Sequence, residues 1–342
     1  MADVEVNIID KTAPVAQAGF GLILVFSPTK DADYQEVTET ASISGFSSGD
    51  MAYEMAARVL EQSPSVDKVA LYGVDVETAG STITDELDKL AVDRDDFYWL
   101  LGATRTDADI AEIASWAASN KRVFVGQPDI AIDVDSELST FMANFNTARN
   151  LIYVHDGGTL NEEQHLDAGV AGALAALEVG SWTGKFQTIA GVANTQFLPG
   201  DISAIHDENA NTYTKKMGIL QTSEGVASDG TFFDIQVAKD WLEARITENI
   251  SQLLYAGSGK VPYDDGGIAQ VVGRLKSVLQ QAFKKGIIAG DAKDNPLYSV
   301  SYPLRKDIPV NDRANRKLIN VEFEATIAGA IHNVTINGVL KA

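Results

Sequence analysis

The sequence of 342 residues contains no cysteine. This absence excludes a disulfide framework, a thiolate metal site and a thiol nucleophile. The sequence also lacks an apolar run of about 18 residues, the length that a membrane-spanning helix requires. Its first residues are acidic and polar rather than basic and then apolar, so we do not expect a secretory signal. Together these absences favour a globular protein in which any chemistry comes from other side chains.

Basic residues are scarce in the first two-thirds of the chain. Residues 1–239 hold 14 Lys and Arg against 37 Asp and Glu, whereas residues 240–342 hold 13 against 11. A strongly acidic body repels nucleic acid and anionic membrane, so neither is expected as a partner. The different charge of the final third is typical of a part that docks on another protein. A simple drift in composition between domains explains it equally well.

Short apolar segments alternate with helical patterns through the first half of the chain. Strands are predicted at FGLILVFSP (20–28), VALYGV (69–74), DFYWLLGA (96–103), RVFVGQ (122–127) and LIYVHD (151–156). A helix is predicted over about 49–62, and the last four strands are each followed by another helix. This alternation predicts a parallel sheet between helices, the three-layer α/β arrangement. Beyond about residue 188 the pattern becomes irregular and rich in strands, so the fold class of the whole chain is α/β, or α+β overall.

The C-terminal third shows two amphipathic helices followed by alternating strands. The helices are predicted over 234–255 and 268–286, and the strands over 296–304, 318–329 and 332–342. The second helix carries Arg274, Lys276, Lys284 and Lys285. These cations either favour the C-terminal end of the helix dipole or present a surface to an acidic partner.

Strand patterns also stand at both ends of the sequence. Val4, Val6 and Ile8 alternate with polar residues in DVEVNI (3–8). A terminal strand has one unpaired edge, which another chain can extend.

Two glycine-containing motifs invite an enzymatic interpretation. Gly180–Phe186 (GSWTGKF) resembles a phosphate-binding loop, but its glycines are one residue too close, and Phe186 replaces the Ser or Thr that binds the metal ion. The segment GFSSG (45–49) satisfies the G-x-S-x-G pattern of a nucleophile elbow, with Ser47 as nucleophile. The elbow precedes the repeating sheet, however, and no histidine has a distinguishing context. We therefore interpret Ser47 or Ser48 as the N-cap of the following helix.

One group of potential metal ligands is present in the sequence. His155 and Asp156 precede Glu162, Glu163 and His165, but the spacing matches no helical ligand pair. A histidine at a strand end and a second histidine on an exposed helix explain the group without a metal. We expect no cofactor and no catalytic residue.

The C-terminal third carries several motifs in a fixed order, and together they support a family resemblance. The motifs are FFDIQVAKDWLEARITENISQLL (232–254), KVPYDDGGIAQVVGRLKSVLQQAFKKGII (260–288), YSVSYPL (298–304), NDRANRKL (311–318) and VEFEATIAGAIHNVTINGVL (321–340). This series resembles contractile phage tail sheath proteins and their relatives in tailocins and related contractile injection systems. The segment ISGFSSGDMAYEMAARVLEQSPSVDKVALYGV (43–74) is similar to the N-terminal regions of sheath proteins.

The resemblance implies a structural subunit, not an enzyme. Such subunits stack in six-membered rings around a tail tube, and their N- and C-terminal arms complete strands in neighbouring subunits. The assembly contracts without nucleotide hydrolysis and drives the tube through the host envelope. The implied partners are further copies of the chain, the tail tube protein, and the baseplate and tail terminator proteins. The implied location is a virion tail assembled in the host cytoplasm and used for genome ejection and viral entry.

The resemblance also implies a division of the chain and a set of contact residues. Residues 1–29 would form the N-terminal arm and the first part of the core, 30–190 an inserted acidic outer domain, and 191–342 the remaining core, with a C-terminal arm from about 331. The expected arm residues are Val4, Val6 and Ile8 at the N-terminus and Val334, Ile336 and Val339 at the C-terminus. The expected tube-facing residues are Arg274, Lys276, Lys284 and Lys285.

Two other functions remain open at this point. One is an α/β serine hydrolase that uses Ser47. The other is a different component of an injection machine, such as a tube, baseplate or capsid-associated protein. The length of the chain argues against a tube subunit, because such subunits are usually smaller and mostly β.

Overall fold

The computed structural model describes residues 19–255, 259–336 and 338. The chain divides into two compact units. The larger unit comprises residues 19–238 and the C-terminal segment that begins at Gly329, and the smaller unit comprises residues 239–328. Helices occur with both parallel and antiparallel strands, so the fold is mixed α/β as predicted.

Six strands form the sheet of the larger unit. They are β1 (Ile23–Ser27), β2 (Ala32–Val37), β3 (Val69–Gly73), β4 (Trp99–Gly102), β5 (Val123–Gly126) and β6 (Asn150–Ile152). Their order across the sheet is β2-β3-β1-β4-β5-β6. All neighbours are parallel except β2, which pairs antiparallel with β3 at the edge. The apolar run that was predicted at residues 20–28 therefore supplies a central strand.

Helices cover both faces of this sheet. They are α1 (Met51–Leu60), α2 (Val76–Ala79), α3 (Ile83–Asp93), α4 (Asp107–Ser119), α5 (Leu138–Met142), α6 (Leu166–Ala175) and α7 (Pro199–Asp207). Leu24 and Phe26 of β1 belong to the core that includes α3, α4 and α5. Helices α1 and α6 pack against each other and against β1. Because side chains alternate between the faces of a strand, these two helices cover the opposite face, and the unit has three layers.

Two further strands of the larger unit form a separate antiparallel hairpin. Strand β7 (Tyr213–Lys216) pairs with β8 (Ile219–Thr222) across a two-residue turn. The irregular region predicted beyond residue 188 thus contains helix α7 and this hairpin.

The smaller unit contains most of the two long C-terminal helices and a two-stranded sheet. Helix α8 (Phe233–Tyr255) begins in the larger unit, and α9 (Asp265–Lys284) follows with the Asp264 side chain accepting a hydrogen bond from Gly267 N at 2.8 Å. Strands β9 (Tyr298–Ser301) and β10 (Glu322–Ala325) are antiparallel, and α10 (Val310–Ala314) lies between them in the chain. Ile268 and Val272 of α9 are buried with Ile308 in a small core.

The bounds of the two units differ from the predicted division of the chain. The predicted boundaries after residues 29 and 190 both fall within the larger unit. The first boundary does so because β1 is hydrogen-bonded between β3 and β4. The predicted N-terminal arm residues Val4, Val6 and Ile8 lie outside the described residues, as does Val339.

Candidate assembly surfaces

The loop that contains Ser47 does not have the geometry of a nucleophile elbow. The exposed Ser47 donates its hydroxyl hydrogen to Asp50 Oδ2 at 2.9 Å, and its backbone N–H bonds the same oxygen at 2.7 Å. Lys30 binds that oxygen at 2.5 Å, and these contacts lower the pKa of Asp50 to about 2. Ser47 is therefore held by a carboxylate, whereas a nucleophile needs a base such as histidine. The N-cap of α1 is Asp50, so the predicted role of Ser47 or Ser48 as N-cap is wrong.

The remaining sequence candidates for chemistry are held by internal contacts. Lys185, in the segment that resembles a phosphate-binding loop, is buried and forms an ion pair with Glu224 at 2.8 Å. His155 is also buried, and its Nδ1 accepts a hydrogen bond from Gly157 N, so its Nε2 donates to the Ala193 carbonyl at 2.9 Å. Among the described residues, no group of three or more His, Asp or Glu is arranged to hold a metal ion.

A buried ionic network occupies the carboxyl end of strands β4 and β5. Arg105 follows β4, and its Nη1 donates to Asp167 Oδ2 at 3.1 Å, while its Nε donates to Glu163 Oε2 at 2.9 Å. Gln127, which follows β5, donates to the other oxygen of Glu163 at 3.0 Å. The side chains of Arg105 and Asp167 are only 9% and 1% exposed. The network joins these strand ends to the start of α6, where Asp167 lies.

The charges in this network determine the protonation states of its members. Burial raises the pKa of Asp167 to about 6, although Arg105 opposes the shift. Burial also acts to raise the pKa of Glu163, but the charge and hydrogen bond of Arg105 outweigh it and hold the value at about 2. Burial and the Arg105 charge lower the pKa of His165 to about 4. At neutral pH His165 is therefore uncharged, and its Nδ1 accepts from Arg105 Nη2 at 3.4 Å.

Sequence reasoning missed this network, because it interpreted Glu163 and His165 as an exposed helix start. Both precede α6, which begins only at Leu166. The sequence contained a signal for the network. Arg105 follows the apolar strand β4, and Asp167 lies in α6, the helix that follows the apolar strand β6. The charged groups of the network pair with one another. The network therefore fixes the ends of these strands to the start of α6 and does not present a reactive group.

Three of the four predicted tube-facing cations lie on helix α9, and Lys285 is its C-cap. Arg274, Lys276 and Lys284 are exposed and Lys285 is half-buried, while the apolar side of the helix is buried at Ile268, Val272, Leu275, Val278 and Leu279. The predicted amphipathic stripe is therefore present, with its cations on the accessible side. The Lys276 ammonium lies 6.0 Å from the centre of the Tyr302 ring.

The sheet of the smaller unit leaves backbone groups available for additional strands. It contains only β9 and β10 in the described part of the chain. Two strands alone are marginally stable in water, and a sheet gains stability from a third. Four large apolar side chains near this sheet are substantially exposed: Phe323 on β10, and Leu297, Tyr302 and Leu304 beside β9. An added strand would cover apolar side chains as well as satisfy backbone hydrogen bonds.

The C-terminal segment has the alternation of a strand but no strand partner within the described residues. Val334 and Ile336 are 73% and 86% exposed, and no ladder includes residues 331–336. Residues 332–336 of the strand predicted over 332–342 are thus not in a strand, since alternation supplies a face while a strand also requires a neighbouring backbone. If this segment paired with a neighbouring strand, Val334 and Ile336 would lie on one of its faces and Thr335 on the other.

His332 attaches this segment to the larger unit. Its Nε2 shares a hydrogen bond with the Thr183 hydroxyl at 2.8 Å, and its ring meets Phe186 and Phe232 edge-on at centroid distances of 5.8 and 5.0 Å. Burial raises the pKa of the nearby Asp234 carboxyl, and a charge on His332 would lower it. We name Thr183, Phe186, Phe232 and Asp234 the arm socket.

Comparison with known proteins confirms the predicted resemblance over the C-terminal third. Residues 233–339 match the family described as the E217 tail sheath protein gp31-like, C-terminal domain. This match spans the whole of α8 and α9 and the strands that follow. Comparison with curated proteins gives no match.

Solved structures resemble the chain over its whole length. A chain of the anti-feeding prophage (AFP) baseplate, determined by cryo-EM with 6-fold symmetrisation, has a TM-score of 0.71 at 10% identity, and the match covers 100% of both chains. A chain of the PVC sheath complex in the contracted state, from an extracellular contractile injection system, has a TM-score of 0.72 at 11% identity, covering 100% of this chain and 98% of the other. These likenesses show that the chain has the fold of these two proteins.

Proposed function

We propose that this protein is the structural subunit of a contractile sheath, which polymerises as stacked six-membered rings around a tail tube. The observation that carries the proposal is the match of residues 233–339 to the C-terminal domain of tail sheath proteins. The shared fold with chains of a baseplate and of a contracted sheath supports it. The side chains that sequence reasoning considered for catalysis are engaged in internal contacts, which agrees with a structural role.

The smaller unit and the C-terminal segment provide the means of polymerisation. Strands β9 and β10 form a sheet that gains stability from added strands, and the segment with Val334 and Ile336 has the alternation that such a strand needs. We infer that the segment pairs with the sheet of a neighbouring subunit. Backbone hydrogen bonds would supply affinity, and the two apolar side chains would set the register.

The arm socket defines where the C-terminal arm begins. His332 fixes the chain to the larger unit, so the strand-forming residues beyond it extend from an anchored point. Anchoring reduces the conformational entropy that the arm loses on pairing, and so favours exchange between subunits. The second arm in this proposal contains Val4, Val6 and Ile8, as the resemblance to sheath proteins implies.

In this proposal the acidic segment 30–190 is the outer part of the subunit, and residues 1–29 and 191–342 belong to the core that surrounds the tube. The exposed cations of α9, chiefly Arg274 and Lys284, would contact the tube protein. The baseplate and the tail terminator would contact the two ends of the sheath. Contraction would draw on energy stored in subunit interfaces and would not require a nucleotide. In a phage, assembly would occur in the host cytoplasm, and contraction would lead to genome ejection.

The proposal is tested by assembly of the purified chain, alone and with its tube protein, observed by negative-stain electron microscopy and sedimentation. Wild-type protein should form striated hollow tubes or ring stacks. The arm variant Val334→Asp/Ile336→Asp should remain a folded monomer that does not polymerise, because two charges would enter the shared sheet.

The matched control is Thr335→Asp, which adds a charge on the opposite face of the same segment. We expect this variant to assemble far better than the arm variant, because its side chain would point away from the apolar face. Equal loss of assembly in both would show that the alternation does not set the register. Wild-type protein that forms no ordered polymer, even with tube and baseplate present, would refute the proposed function.

A further inference from the structure

The hairpin β7–β8 ends in an apolar and basic tip that projects from an acidic unit. Met217 is fully exposed and Ile219 is 64% exposed, and Lys215, Lys216 and Gly218 are exposed with them. We name residues 215–219 the hairpin tip. Scattered apolar residues are common on protein surfaces, but adjacent ones at the end of a projection are typical of a contact.

The base of the hairpin is held rigidly, so the tip has a defined position. Tyr213 is buried, and its hydroxyl is 2.9 Å from Ile189 N, from which it accepts a hydrogen bond. Thr222 is also buried, and it donates to the Gly184 carbonyl at 2.7 Å. A protrusion that is ordered before binding loses less conformational entropy when it meets a partner.

The residue at the turn is not the one that the backbone prefers. Met217 and Gly218 have φ values of 52° and 85°, as in a two-residue hairpin turn with positive φ at both positions. Asn followed by Gly suits such a turn, whereas an unbranched apolar side chain in the left-handed region is disfavoured. The fold therefore tolerates a conformational penalty in order to place an apolar side chain at the most exposed point of the hairpin.

The charge of the hairpin tip is opposite to that of the unit that carries it. Residues 19–238 hold 12 Lys and Arg against 34 Asp and Glu. Seven of those cations form ion pairs within the unit: Lys30, Arg58, Lys68, Lys89, Arg105, Arg122 and Lys185. Lys215 and Lys216 form no ion pair with a carboxylate in the part of the chain that the structure describes. Their charges remain available to an acidic partner.

We propose that the hairpin tip binds the acidic surface of the larger unit of a second copy of this chain. Copies brought together in a polymer would repel one another through their larger units, and a contact that contributes two unpaired lysines and two apolar side chains offsets that repulsion. This inference rests on the proposed function, because only a polymer brings many larger units into proximity. It goes beyond that function by assigning a contact outside the terminal arms and the smaller unit.

The inference is tested with two variants of the full chain. Met217→Asn/Ile219→Thr removes the apolar contact while giving the turn its preferred Asn-Gly sequence, so the monomer should be at least as heat-stable as wild type. Lys215→Glu/Lys216→Glu reverses the charge. For each variant we expect the critical concentration for sheath assembly to rise about tenfold, as for the loss of a significant interface contact.

The control is Lys68→Glu/Lys89→Glu, which changes the net charge equally at lysines outside the hairpin; because both lysines form ion pairs within the unit, its folded state is first verified by circular dichroism. The inference is supported if the critical concentration for assembly rises for Lys215→Glu/Lys216→Glu and rises less for this control. A photo-crosslinker at position 217 should also join the larger units of two copies. Assembly of the tip variants at the wild-type concentration, or crosslinking only to the tube protein, would overturn the inference while leaving the proposed function intact. Failure of wild-type assembly would overturn both.

Discussion

Replacing Arg105 by methionine should destabilise the larger unit strongly, and more at neutral than at acidic pH. Methionine fills much of the same volume but leaves Asp167 and Glu163 without the charge that neutralises them. Removing one partner of a buried ion pair costs about 3–5 kcal/mol, because the other charge stays buried. In a unit of this size such a loss lowers Tm by roughly 10 °C.

The pH dependence follows from the three neighbouring groups. The folded-state pKa of Asp167 is about 6, which lies above that of the unfolded chain, and it rises further when the Arg105 charge is removed. The variant therefore binds a proton in the folded state over a pH range where the unfolded chain does not, so its stability increases as pH falls through that range. Loss of Arg105 also removes one cause of the depressed pKa of His165, which acts in the same direction. Glu163 acts in the same direction, because burial raises its pKa and the charge and hydrogen bond of Arg105, which outweigh burial in the wild type, are lost in the variant.

The assay is thermal and urea unfolding at pH 7.5 and pH 5, followed by tryptophan fluorescence. The deficit of Arg105→Met relative to wild type should be clearly smaller at pH 5. A suitable control is Lys68→Met, because Lys68 pairs with Glu36 near the surface, with side chains 44% and 27% exposed, and should cost at most about 1 kcal/mol. A deficit for Arg105→Met that is equally small, or that does not change with pH, would refute the view of this cluster as a closed ionic network.

Three further predictions concern the assembly surfaces. The variant Lys284→Glu/Lys285→Glu should weaken the binding of sheath to isolated tubes and change the salt dependence of that binding. The measurement is co-sedimentation, and unchanged salt sensitivity would contradict a tube-facing role for α9. Deletion of residues 1–10 should leave a folded monomer that forms no sheath, and loss of the folded state in circular dichroism would instead assign the segment to the core. His332→Ala should speed proteolysis of the chain beyond residue 328 without changing Tm, because the contacts with Thr183 and the two phenylalanines hold only the arm; equal cleavage rates would count against the arm socket.

The sheet of the larger unit could be predicted because its strands carry a strong local signal. Four of the five predicted apolar runs contain an observed strand and the fifth overlaps β6, since a strand covered on both faces is apolar along its length. The position of β1 could not be predicted in the same way. Strand order depends on which neighbours pair, so the first apolar run was assigned to the core and arm rather than to the centre of this sheet.

The candidate assembly surfaces could be predicted only in part. The helical period of α9 located its cations, because the apolar stripe and the polar face are both local patterns. The contact of His332 with Thr183 joins residues far apart in the sequence, and neither residue has a local pattern that marks it. The hairpin tip was missed because Met217 breaks the Asn-Gly signature that usually marks a two-residue turn.

The distribution of engaged and exposed groups in the described residues agrees with the proposed mechanical role. In the larger unit Ser47 is held by Asp50, and Arg105 binds Glu163 and Asp167, so these candidate groups are engaged in internal contacts. Among the described residues, exposed groups remain along β9 and β10, on the cationic side of α9, on the C-terminal segment and at the hairpin tip. A subunit whose contacts rearrange must keep its own fold. This requirement favours polar groups that are paired internally, together with exposed strand edges and apolar side chains for the contacts, and the described residues show this combination.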